Sequence, residues 1–177
     1  MVRLLARAVD PSFADDFHQH ALLAPAVELA VEDLFPRAEV ELAGGDGDDD
    51  FHPAANVAKM RAGIPLTDAD RAPWLQSLRA TIDGWIASRQ SAVLACSALK
   101  QAYREQLIVG PEVKLVFLHA DLDLIAERMA ARHGHYMNPA LLRSQFEALE
   151  APRDALSLDA ARPVPELVAV IRASLGK

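Results

Sequence analysis

The sequence predicts an α/β protein, with a parallel β-sheet between helices packed on both faces, three layers in all. Two observations carry that class. "SAVLAC" (91–96) and "VKLVFLHA" (113–120) are short, nearly continuous apolar runs of strand length, the pattern of strands buried on both faces. Longer segments with apolar residues at helical spacing separate and flank them, clearest in Trp74, Leu78, Ile82, Trp85 and Ile86. Strands joined through helices need crossover connections, which give a parallel sheet.

Taken in order, residues 2–9 form a short apolar-rich run read as a strand. Residues 10–20, with Pro11, Asp10, Asp15 and Asp16, read as loop. Residues 21–35 carry Leu22, Val27, Leu29, Ala30 and Leu34 at helical spacing, with Pro25 tolerated in the first turn and Pro36 as the stop. Residues 39–43 are a weak strand. "GGDGDDD" (44–50) can only be loop. Thr67 or Asp68 caps the long helix that holds Trp74 and Trp85. After the strand at 91–96, helix is expected over 98–107. After the strand at 113–120, helix is expected from Asp121 to Arg132, then a break at "HGHYMN" and helix again over 139–150. "ALSLDA" (155–160) is a short strand, and 164–175 a closing amphipathic helix.

Length and charge narrow the function classes. One domain is expected for 177 residues, spanning 1–177. The formal net charge of −7 argues against a nucleic-acid or membrane-surface binder, which would present a basic face. It leaves room for a small anionic ligand held by a few convergent Arg and Lys side chains. Cys96 is the one cysteine, so an intrachain disulfide and a Cys-rich metal site are both excluded, and a reducing cytoplasm is the natural location. No metal-binding residues are expected, since His133 and His135 have no convergent carboxylate or thiol beside them. No signal peptide or membrane span is read in the chain.

In a parallel sheet, ligands bind outside the carboxyl ends of the strands. The chemistry-bearing residues fall in the loops that follow strands. Asp49 and His52 lie in one such loop, Asn56 and Lys59 on the helix after it, and Arg71 on the next. In "CSALK", Ser97 is expected to open a helix whose free backbone donors suit an anion, with Lys100 and Arg104 one turn apart. Each has a plainer alternative: a solvated acidic loop for Asp49, surface charge for Lys59 and Arg71, a simple N-cap for Ser97.

Four segments, in order, carry a family likeness: "DDFHPAANVAKMRAGIPLTDADRAPWL" (49–75), "CSALKQAYREQL" (96–107), "FLHADLDLIAERMAARHGHYMNPALLRSQFEALE" (117–150) and the ending "LSLDA…VPELVAVI". Together they resemble the gluconokinase family, small P-loop kinases that phosphorylate gluconate from ATP. The resemblance covers about three quarters of the chain from Asp48 onward. It implies a P-loop NTPase fold of the nucleoside-monophosphate-kinase type with a lid near 132–139. It also implies ATP and Mg²⁺ as cofactors, gluconate as substrate and a homodimer. Catalytic roles then fall to Asp49, chosen over Asp48, and Lys100. Substrate contacts fall to Asp49, His52, Asn56, Lys59, Arg71, Arg104 and Gln145, and nucleotide contacts to Ser97, Arg128 and Arg132. Arg128 and Arg132 have a plainer reading as cations at a helix C-terminus, and Gln145 as an ordinary helix residue.

The likeness stops at the N-terminal side. The family's phosphate loop needs G-x-x-x-x-G-K-[ST] after the first strand, glycines and a lysine cradling the phosphates. Here 9–20 reads "VDPSFADDFHQH", and neither Gly nor Lys occurs before Gly44 and Lys59. Residues 1–46 therefore diverge from the family pattern. Three expectations follow: a kinase with an unusual loop, a non-catalytic sugar-acid-binding pseudokinase, or an N-terminal part read in a shifted frame.

Overall fold

A computed structural model describes residues 2–7, 41–43, 51–89, 91–131 and 140–175. Five strands form one sheet, β1 (Val2–Arg7), β2 (Glu41–Ala43), β3 (Ser91–Ala95), β4 (Val113–His119) and β5 (Leu156–Asp159), in the spatial order β2-β3-β1-β4-β5. The helices are α1 (Ala54–Arg61), α2 (Asp68–Ser88), α3 (Gln101–Leu107), α4 (Leu122–Ala131), α5 (Leu141–Ala148) and α6 (Val164–Ser174). The helix expected over 21–35 and the loop at 44–50 lie outside the described residues.

Period-two alternation sorts side chains to the two faces of the buried strands. Ala92 and Leu94 of β3, with Val113 and Phe117 of β4, face α2 and α3, where they meet Trp74, Leu78, Ile82, Trp85 and Leu107. Val93, Val116 and Leu118 face the other way and pack with Leu158 and with Leu167, Val168 and Ile171 of α6. The result is the three-layer arrangement that the sequence predicts.

One strand departs from the parallel expectation. β2 pairs parallel with β3, and β4 parallel with β5. β1 lies between β3 and β4 and runs antiparallel to both, with Arg3 opposite Ala95, Arg7 opposite Ser91 and Ala6 opposite Val113. An apolar run shows that a strand is buried but not which way it points, so the reversal is invisible in "VRLLAR". Its consequence is positional. β1 ends at the edge where β3 and β4 begin, opposite their carboxyl ends.

α2 begins where the sequence places it. Thr67 is the N-cap: its Oγ1 accepts from the Asp70 N–H at 3.2 Å, and its own N–H donates to Asp70 Oδ2 at 2.9 Å, a complete capping box. Thr67→Ala should lower stability by about 1 kcal/mol, measured by urea unfolding. The helix stops at Arg89, whose φ of 57° is left-handed, a position more often held by Gly.

α3 begins later than expected. Residues 98–100 are not helical, Lys100 is the N-cap, and the Leu99 N–H turns back to the Ser97 carbonyl at 2.8 Å. Ser97 therefore does not open a helix. The first α3 amide, Gln101 N–H, donates instead to the Glu150 carboxylate at 2.6 Å. A carboxylate from 49 residues away supplies the cap that local sequence suggested Ser97 would supply.

Candidate functional site

A cavity of about 340 Å³ opens between the start of α2, the β3–α3 loop and α5. Among the described residues its apolar wall is Met60, Pro65, Leu66 and Leu141, and Met60, Leu66 and Leu141 belong to one small buried cluster. Its polar wall is Thr67, Asp68, Arg71, Lys100, Ser144 and Gln145. An apolar floor with a few convergent polar groups is the usual form of a small-molecule site.

Three elements bring the cations together. Arg71 sits in the first turns of α2, and one of its guanidinium N–H groups donates to the Leu66 carbonyl. Lys100 ends the β3–α3 loop, and its ammonium donates to both Asp68 oxygens, at 2.7 and 2.9 Å. The Tyr103 hydroxyl donates to the same carboxylate. Arg71 and Lys100 also flank the Tyr103 ring, 5.9 and 5.7 Å from its centroid. The hydrogen bonds from Lys100 and Tyr103 hold the Asp68 carboxyl below its usual range, and the bond to Asp68 raises Lys100. Both are therefore charged at neutral pH.

The sequence-predicted site residues divide into groups. Arg71, Lys100 and Gln145 line the cavity. His52, Asn56 and Lys59 do not; His52, just before α1, and Asn56 and Lys59 on it tie this segment to the first two turns of α2. Asn56 is buried and donates to the Asp70 carbonyl at 2.6 Å. Lys59 pairs with Asp70 Oδ1 at 2.6 Å, and His52 stacks on Trp74 at 4.7 Å between ring centroids. These contacts fix the turn that presents Leu66, Thr67 and Asp68 to the cavity.

Arg104 is a second relocation. It is 1% exposed, and its guanidinium donates to the Ala98 and Leu99 carbonyls at 3.0 and 2.8 Å and to Gln101 Oε1 at 3.0 Å. It faces the interior and the β3–α3 loop, not an anion beside Lys100, because α3 starts at Gln101 and turns position 104 inward. Arg104 thus shapes the loop that carries Lys100 and Ser97. Arg128 donates to the Ala160 carbonyl at 2.9 Å, joining α4 to the end of β5. Asp49, Arg132 and the lid expected at 132–139 lie outside the described residues.

Sequence reasoning missed Asp68, Tyr103, Ser144 and Glu150. Asp68 reads as an acidic residue favoured by the start of a helix, and nothing local marks its pairing with residues 32 and 35 positions away. Tyr103 stands inside the "CSALKQAYR" stretch, and its place beside Lys100 was the available signal.

The α1–α2 junction has a pH signature. Burial, and then the Arg71 charge, lowers His52 to about 4. A lowered histidine resists protonation in the folded state while the unfolded chain takes up its proton near 6.5. Stability should therefore be flat above about pH 6.5 and fall as pH drops from there toward 4. His52→Phe, which keeps a stacking ring, should lose that slope in unfolding measured across pH 4–7. Asp70, lowered to about 2 chiefly by its bond from Lys59, acts in a separate window. Its contribution is present above about pH 4 and is lost as pH falls through about 2.

Known proteins resemble this chain in sequence and in fold. The chain is 36% identical over 148 residues to a probable gluconokinase of Mus musculus, covering 72% of this chain and 80% of that protein. The chain belongs to the gluconokinase family. It is also 47% identical over 109 residues to the thermosensitive gluconokinase of Escherichia coli strain K12, covering 61% of this chain and 58% of that protein. The chain thus spans about three fifths of that relative's length. A sugar kinase from Janibacter sp. HTCC2649, solved without ligand, superposes with a TM-score of 0.71 at 37% identity, covering 82% of this chain and 84% of that one. The P-loop kinase fold of this gluconokinase-family chain is thereby shown. No family model matches the chain. The cavity-lining residues 60–71 and 141–148 and Lys100 all lie within the stretches whose likeness the sequence itself displays.

Proposed function

We propose that this chain binds D-gluconate in the cavity beside Arg71 and Lys100 and belongs to the ATP-dependent phosphorylation of gluconate to 6-phosphogluconate. The observation that carries the reading is the pairing of Arg71 and Lys100 on one polar wall of a 340 Å³ cavity in a chain of the gluconokinase family. A guanidinium and an ammonium suit a carboxylate or a developing phosphate charge. Thr67 and Ser144, whose hydroxyl protons go to Asp70 and to the Leu141 carbonyl, keep acceptor lone pairs for a run of hydroxyls, and Gln145 stands beside them on the same wall. Lys100 is the proposed catalytic cation, held on the cavity's polar wall by Asp68. His52, Asn56 and Lys59 act as positioning residues, fixing the turn at 66–68. Asp49 is proposed to orient the accepting hydroxyl, Arg104 to position Lys100, and Ser97, Arg128 and Arg132 to serve the nucleotide side. Mg²⁺ as the companion of ATP and a homodimer belong to the same proposal and rest on the family resemblance, while a cytoplasmic setting rests on Cys96 being the one cysteine of the sequence. No helix among the described residues is long and apolar enough to cross a membrane.

The nucleotide side fits less well. A phosphate cradle of this fold is built from backbone N–H groups that follow the first strand at the carboxyl edge of the sheet. Here β1 ends at the opposite edge, with Arg7 beside Ser91, and residues 8–20 hold neither Gly nor Lys. The described residues therefore do not form the cradle. That same observation favours a second reading, a sugar-acid binder without turnover. Losing a single preorganised donor already costs about 10²–10³ in rate. Gluconate-dependent release of ADP from ATP–Mg²⁺ tests the first reading. Release above the rate without gluconate supports it; gluconate binding with no release supports the second.

A further inference from the structure

We propose that Asp68 is a specificity-determining residue that limits the cavity to ligands bearing a single negative charge. This rests on the reading that the cavity takes a sugar acid. The charged groups lining the cavity among the described residues are Arg71, Lys100 and Asp68, which sum to one positive charge. Asp68 is not a spectator at the rim. Its carboxylate takes both a doubly shared bond from Lys100 and the Tyr103 hydroxyl, and its side chain is 65% exposed, so it faces an incoming ligand while holding the cation that would receive it.

The arrangement favours one anion and penalises two. A monocarboxylate of a six-carbon polyol places its charge against Arg71 and Lys100 and its hydroxyls against Thr67, Ser144 and Gln145. A ligand with a carboxylate at each end brings a second charge into the same wall, where Asp68 repels it and Lys100 is already partly neutralised. One unit charge about 6 Å away at a partly wet surface shifts binding by about tenfold.

The test compares D-gluconate with D-glucarate, the same six-carbon chain with a second terminal carboxylate, by calorimetry on the full chain and on Asp68→Asn. Asparagine keeps an oxygen for Tyr103 and Lys100 but removes the charge. The wild type should prefer gluconate, and the variant should narrow that preference by about tenfold. Asp68→Glu, which keeps the charge, should hold the wild-type ratio. Should Asp68→Asn not fold, Asp68→Ser serves for the same ratio. A gluconate-to-glucarate ratio that is unchanged in the neutral variants, or a wild type that binds both acids equally, overturns the role of Asp68 while leaving the sugar-acid site standing. A wild type that binds neither acid overturns the site itself, and this proposal with it.

Discussion

Arg71→Ala is expected to weaken D-gluconate binding by between about tenfold and about a hundredfold, the scale of one hydrogen-bonded charge lost from a ligand site. Arg71 stands on the polar wall of the cavity, in the first turns of α2, which are fixed independently by the Thr67–Asp70 capping box. The substitution removes the ligand's cationic partner and the bond to the Leu66 carbonyl, yet leaves the Thr67–Asp70–Lys59 contacts intact. Unfolding should therefore change little while affinity falls. Arg71→Lys restores charge without the planar fork and should recover only part of the loss. Wild-type affinity in Arg71→Ala would show that the cavity is not where gluconate sits.

The second large effect is on stability. Arg104→Ala should lower the free energy of unfolding by about 3 kcal/mol, measured by urea titration. The guanidinium is buried and is the partner of the Ala98 carbonyl and one of two partners of the Leu99 carbonyl, the other being the Glu150 N–H. Truncation leaves a buried acceptor unmatched and a void behind it. Because the loop carrying Lys100 loses its internal brace, gluconate affinity should fall too. The two variants separate the two roles: affinity alone moves for a ligand contact, whereas both quantities move for a positioning residue. An Arg104→Ala protein as stable as wild type, with gluconate affinity alone reduced, would return Arg104 to the substrate side.

Much of this architecture is legible in the sequence. "SAVLAC" and "VKLVFLHA" read as buried strands because apolar residues occupy both faces, and Trp74, Leu78, Ile82 and Trp85 mark the face of α2 that covers them. The Thr67 cap is legible because a capping box is local, complete within four residues. Arg71 and Lys100 are legible as cations in loops and helix starts beside strand ends. What the sequence hides is long-range. The direction of β1 depends on how the chain returns to the sheet, not on its own residues. The start of α3 shifts to Gln101 because Glu150, 49 residues away, caps it. Asn56 and Lys59 look like ligand contacts until Asp70 is seen to take both. Asp68 looks like a helix-start acid until Lys100 and Tyr103 converge on it. Such pairings across 11 to 49 positions leave no spacing to count.

The most direct measurement is a calorimetric titration of the full chain with D-gluconate, run with and without ATP–Mg²⁺ and repeated with Arg71→Ala. The site built from α2, α5 and the β3–α3 loop predicts saturable one-to-one gluconate binding that needs no nucleotide and is strongly weakened in the variant. Absence of gluconate binding under both conditions, or binding indifferent to Arg71, would contradict it.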